Sequence, residues 1–152
     1  GLRSGTLNVP GIVGFGEACR IAGEEMPRDA ERTVRLRDDL ERLLLAELPD
    51  VDINGNPEKR LPDMTNLRFA GVDARTLIRD MYVLAVSTRS ACSTGSRGPS
   101  HVLKALGLTD EQAYSSIRFS LGRFTTEEEI DRAVQLVAGS VRKLRTRSKN
   151  TW

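Results

Sequence analysis

The stretch STRSACSTGSRGPS, residues 87–100, sets Cys92 among Ser, Thr, Gly and Arg, where a core cysteine would have apolar neighbours. From Ser87 to Gly98 the only apolar side chain is Ala91. Such a segment visits many conformations at little cost. A thiol at its middle is therefore on a tether, and half of the tether, fully extended, reaches on the order of 20 Å at ~3.3 Å per residue. Arg89 and Arg97 flank the thiol, and nearby cations favour thiolate, the nucleophilic form. The chemistry on offer is nucleophilic attack in one place and delivery in another. An incidental surface thiol is the bland alternative, and these features alone leave it open.

Arg118 is the second candidate. In SSIRFSL it alternates with Ile117, Phe119 and Leu121 and shares a strand face with Ser116 and Ser120. A planar guanidinium there either meets solvent or receives a carboxylate through two parallel hydrogen bonds. Cys19 lies in a small apolar run beside Ala18 and reads as a core residue. His101 reads as a surface residue. With two distant cysteines, no CxxC and one histidine, no metal-ligand spacing is present.

The elements that must position these residues follow from periodicity and caps. Val9–Ala22 reads as a tightly packed helix whose Gly11, Gly14 and Gly16 permit close approach. Pro27–Leu48 reads as a second, amphipathic helix with a Leu36, Leu40, Leu43, Leu44 stripe, ended by Pro49. Val51–Ile53 is a short strand before the Asn54-Gly55-Asn56-Pro57 turn, and Thr65–Phe69 alternates as a strand. Asp73 caps a short helix, and Tyr82–Val86 reads as a buried strand that ends where the cysteine segment begins. Pro99 opens a helix with Val102, Leu103 and Leu106 inward and Gly107 as its stop. Thr109 with Gln112, and Thr126 with Glu129, make capping boxes for the last two helices. The sum is an α/β layer of three or four short strands with helices on one face.

A chain of 152 residues with 39% hydrophobic and 29% charged residues suits one globular domain. A net charge of +2 gives no case for nucleic acid, and no apolar run is long enough for a membrane span. The basic stretch Arg142–Lys149 reads as the end of a helix, with cations at the negative end of its dipole. Both thiols are expected free in a reducing cytoplasm. The opening Gly-Leu-Arg-Ser-Gly-Thr carries neither Met nor a cap and reads as a start inside a longer protein.

Three segments together carry a resemblance: RSGTLNVPGIVGFGEACRIA, STRSACSTGSRGPSHVLKALGL and SSIRFSLGRFTTEEEIDRAV. They are similar to the C-terminal half of cysteine desulfurases. More narrowly, they resemble the long-loop group that serves iron–sulfur cluster assembly and nitrogenase maturation. The similarity runs from Leu2 to about Leu144. It implies the C-terminal small domain of an aminotransferase-like (fold type I) pyridoxal-phosphate enzyme, α/β, with a short mixed sheet and helices on one face. Residues 1–25 would be a remnant of the large cofactor-binding domain with the interdomain helix, and 26–152 the small domain.

The resemblance further implies a homodimer that converts L-cysteine to L-alanine, with pyridoxal 5'-phosphate as electron sink. Cys92 matches the nucleophile that takes the sulfur as persulfide and hands it to an iron–sulfur scaffold or other acceptor. Arg118 matches the clamp on the substrate carboxylate. Thr6 matches a residue that binds the cofactor phosphate in the partner subunit's site. No metal is implied.

The sequence also departs from the pattern. The family's cofactor lysine, its ring-stacking histidine and its pyridinium aspartate lie upstream of the RSGT segment, and none is present. Lys59, Lys104, Lys143 and Lys149 do not match that lysine's motif. Arg89 stands where the loop usually has Gly, and Arg97-Gly98 replaces an apolar–acidic pair. The chain alone is therefore expected to hold the cofactor poorly and to be inactive, as a fragment, a cleavage product or one part of a split enzyme. A cofactor-free sulfur carrier and a scaffold-docking module are the alternatives.

Overall fold

The computed structural model describes residues 4–88 and 98–149, the last two by backbone alone. In chain order the elements are helix α1 (Val9–Glu47), strands β1 (Val51–Ile53) and β2 (Met64–Phe69), and helices α2 (Ala74–Asp80), α3 (His101–Ala105) and α4 (Asp110–Tyr114). Strand β3 (Ser116–Ser120) and helix α5 (Glu127–Lys149) follow. The strands lie in the order β1-β2-β3. Val51 faces Phe69 across the first pair, and Asn66 faces Arg118 across the second.

Alternation divides the sheet into two faces. Thr65, Leu67, Phe69, Ile117 and Phe119 are buried on one. Against them pack Leu36, Leu40 and Leu44 of α1, Leu77 of α2 and Val134, Val137 and Val141 of α5. Phe69 and Phe119 meet edge to face, with ring centroids 6.4 Å apart. Leu44 is fully buried in this layer. Leu44→Ala is expected to cost about 3 kcal/mol, the usual range for a leucine cavity, read as a lower urea midpoint at unchanged slope.

The other face is polar, and the short α3 and α4 border it: Leu103 shares a cleft with Arg118, and the carbonyl of Gln112 accepts from Ser116. Gly107 ends α3 with φ 86°. Its N–H donates to Lys104 O at 2.9 Å, and the N–H of Leu108 donates to Leu103 O at 3.1 Å, the paired bonds of a left-handed helix stop. Both expected capping boxes form. Thr109 and Gln112 bond reciprocally ahead of α4, and Thr126 and Glu129 do so ahead of α5.

The structure corrects several expectations. The two helices expected on either side of Pro27 are one. Proline removes one N–H from the ladder, and tertiary bonds hold the helix across it. Arg123 pairs with Glu25 and Asp29, and Arg32 donates to the carbonyls of Arg123 and Thr125. The first turns of α1, residues 9–20, are not packed: Ile12, Val13, Phe15 and Cys19 are all exposed, and the space beside Gly14 and Gly16 is open.

Tyr82–Val86 is a turn rather than a buried strand. Leu84 N–H bonds back to Met81 O, Tyr82 and Val83 face solvent, and only Leu84 and Val86 lean on the core. Without that strand, the sheet expected to be mixed is antiparallel in every described pairing. In α3 only Leu103 is buried; Val102 and Leu106 are about half exposed.

The basic end of α5 binds the fold. Arg145 donates to the carbonyls of Pro49, Asp50 and Ala70, while Arg142 pairs with Glu47 and Lys143 with Asp80. Among the described residues no helix is long and apolar enough to cross a membrane.

Candidate functional site

Arg118 sits at the middle of β3 on the polar face, half-buried, with β2 on one side. On its other side its backbone exchanges two hydrogen bonds with Ser87. Arg118 N–H donates to Ser87 O at 2.6 Å, and Ser87 N–H donates to Arg118 O at 3.1 Å. The chain thus leaves the sheet, at the start of the segment that bears Cys92, from the position paired with Arg118.

A cleft of about 340 Å³ opens over this point, with Asn54, Arg60, Asn66, Thr88, Ser100 and Arg118 in its wall. Thr88 is the last described residue before the cysteine segment, and Ser100 lies just after it. Cys92, Arg89 and Arg97 themselves lie outside the described residues. Both roots of the segment therefore belong to the wall that holds Arg118.

The outer wall, residues 54–61, is tied down from α1. The buried Arg37 donates to Leu61 O at 3.0 Å and Pro62 O at 3.3 Å. Arg60 reaches Glu41 through both guanidinium ends, one of the bonds at 2.9 Å, with side-chain exposures of 17% and 7%. Hydrogen bonding to Glu41 raises the pKa of Arg60 above its ordinary value, and burial opposes this.

Breaking a pair this buried strands a charge. Glu41→Ala is expected to lower stability by about 3 kcal/mol, while Glu41→Leu with Arg60→Met recovers most of it. Urea unfolding of the two variants checks this. Equal losses in both would mean that shape, not charge, holds the wall.

Arg60 is committed to Glu41, whereas Arg118 has no acidic partner among the described residues. Its Nε is buried and makes no hydrogen bond there. A buried donor without an acceptor is costly, which makes it a site that an incoming anion would complete. A carboxylate suits it best, since its two oxygens match the guanidinium fork.

The structure does not bring every candidate together. Thr6 is exposed ahead of α1 and is not part of the cleft wall. His101 is exposed at the start of α3, as expected. Cys19 is exposed on α1, contrary to its reading as a core residue. Sequence reasoning did not find Asn54, Asn66, Arg60 or Glu41. Alternation had Asn66 on the polar face, but only the strand register puts it opposite Arg118. Glu41 and Arg60 meet through a loop that carries no periodic signal.

Residues 1–133 match the family model described as aminotransferase class-V. The chain belongs to that family. It is 50% identical over 148 residues to cysteine desulfurase IscS of Anaeromyxobacter sp. (strain Fw109-5), covering 97% of this chain and 37% of that protein. It is 51% identical to cysteine desulfurase IscS of Colwellia psychrerythraea, covering 97% and 36%.

Two solved structures are similar. One, a NifS-like protein, has a TM-score of 0.79 at 33% identity, over 94% of this chain and 36% of that one. The NifS-like protein of Rickettsia africae has a TM-score of 0.75 at 31% identity, over 91% and 36%. The chain therefore spans little more than a third of the curated relatives it matches.

Proposed function

We propose that this chain is the C-terminal portion of a pyridoxal-phosphate-dependent cysteine desulfurase. It converts L-cysteine to L-alanine, stores the sulfur as a persulfide on Cys92 and passes it on for iron–sulfur cluster assembly. One observation carries the reading: Arg118, with no acidic partner among the described residues, stands in a cleft walled by both roots of the segment that bears Cys92. Identity near 50% to proteins named cysteine desulfurase supports it.

In this reading Arg118 grips the substrate carboxylate and fixes the amino acid relative to the tether. Cys92 lies four residues beyond Thr88 of the cleft wall, a covalent span of at most ~14 Å. Its thiolate bonds to the substrate sulfur as the carbon–sulfur bond breaks. The carbon left behind gains a proton, so that L-cysteine and a thiol become L-alanine and a persulfide. A second thiol or a scaffold protein then takes the terminal sulfur.

Pyridoxal phosphate, when bound, supplies the electron sink for this exchange. The described cleft residues do not make a site for it. They include no imidazole to stack on the ring and no carboxylate for its pyridinium, and Lys59 is exposed. The lysine, ring-stacking histidine and pyridinium aspartate that would hold it belong to the part of the enzyme that the longer relatives have and this chain does not span.

The same reading makes residues 1–25 the remnant of the large domain and 26–152 the small domain. Support comes from burial, since the first buried residue of α1 is Thr33 and residues 9–20 are all exposed. Thr6 then serves the cofactor phosphate across a homodimer, for which its exposure leaves room. The compartment is the cytoplasm, where the thiol stays reduced.

The test is to join this chain to the large domain, as one polypeptide or as a mixture, and supply pyridoxal phosphate and L-cysteine. Alanine forms and Cys92 gains one sulfur in the joined enzyme, while the isolated chain does neither. Alanine production by the isolated chain would overturn the assignment.

A further inference from the structure

Ser116 is fully buried behind the cleft, and its hydroxyl donates to the carbonyl of Gln112 at 2.7 Å. A hydroxyl has one proton, so towards Asn54 the Ser116 oxygen can only accept. Asn54 Nδ2 meets it at 3.0 Å and donates its other proton to Asn66 Oδ1 at 2.7 Å. The backbone N–H of Asn54 also bonds to Asn66 O at 2.8 Å, which keeps the two side chains side by side. The direction of the series is set at its root, because a backbone carbonyl can only accept. Gln112 orients Ser116, Ser116 orients Asn54, and Asn54 takes the oxygen of the Asn66 carboxamide.

The amide nitrogen of Asn66 is then left pointing away from Asn54. It makes no hydrogen bond among the described residues, its side chain lines the cleft, and its strand partner is Arg118. Cross-strand neighbours have their Cβ atoms about 5 Å apart, so both side chains can reach the two oxygens of one carboxylate.

We infer that Asn66 is the second donor of the anion site: its amide N–H binds the same carboxylate as Arg118, and the series from Gln112 holds it as a donor. With its oxygen forward, the same side chain would repel that carboxylate. The inference rests on reading Arg118 as the carboxylate clamp and adds the residue that fixes the carboxylate's orientation.

Nitrogen-15 NMR of the 152-residue chain tests it, with L-alanine as probe and L-alaninamide, which lacks the carboxylate, as control. The side-chain resonances of Asn66 Nδ2 and Arg118 Nε are both expected to move with L-alanine and to stay still with the amide. Asn66→Ala is expected to weaken L-alanine binding about ten-fold while the Arg118 resonance still responds. Movement of Arg118 alone, at an affinity unchanged in the variant, overturns the role of Asn66 and leaves the clamp standing. If neither resonance moves, both readings fall. The measurement on the unaltered chain holds whether or not the variant folds.

Discussion

Replacing Cys92 with serine in the joined enzyme stops alanine formation while binding of L-cysteine persists. A hydroxyl in that position is no nucleophile towards sulfur at neutral pH, and no second thiol of this chain lines the cleft, so the carbon–sulfur bond has no acceptor for its sulfur. The other cysteine, Cys19, is exposed on α1 and lies outside the cleft wall. The expected loss in turnover is on the order of a thousand-fold or more, the scale seen when a nucleophile is removed from an otherwise intact site. Alanine release coupled to a thiol reductant, with substrate binding followed separately, measures it. Turnover within a few-fold of the unaltered enzyme would take the 87–100 segment out of the mechanism. A pure sulfur carrier is distinguished by the same variant, because it would lose delivery without ever having produced alanine.

Arg118→Ala is the second large effect. The guanidinium is half-buried, lacks an acidic partner among the described residues and is fixed by backbone bonds on both edges. Removing a charge-assisted pair costs roughly 1.5–3 kcal/mol, which is about a ten- to hundred-fold rise in KM. Arg118→Lys restores only part of this, since an ammonium cannot bind both oxygens as a fork does.

A substrate control sharpens the result. Cysteamine is L-cysteine without its carboxylate, so the variant and the unaltered enzyme should handle it about equally. A penalty of the same size for both substrates would mean that Arg118 supports the fold instead of the substrate.

Burial and hydrogen bonding explain which of these features the sequence could reveal. Caps and stops are local chemistry, so Asp73, Thr109, Thr126 and Gly107 are legible from neighbouring residues and lie where expected. Strands β2 and β3 show themselves by alternation, which also puts Arg118 on the polar face.

What fails is decided at a distance. Pro27 looks like a boundary until the Arg123 side chain, and the Arg123 and Thr125 carbonyls that Arg32 reaches, hold the helix from ninety-odd residues away. Val9–Ala22 looks like core because it is small and apolar, yet of its residues only Ile21 is even half-buried among the described residues. Tyr82–Val86 has the composition of a strand, but the turn from α2 uses its backbone, and only Ser87 pairs with the sheet. Asn66 required the register, and Glu41 with Arg60 required the loop.

The most direct measurement is the mass of each cysteine-bearing peptide after one turnover of the joined enzyme with L-cysteine. The account predicts one additional sulfur on the peptide that contains Cys92, lost on reduction, with Cys19 unmodified although it is exposed and free. Alanine formed with the extra sulfur on Cys19, or on neither cysteine, would contradict it.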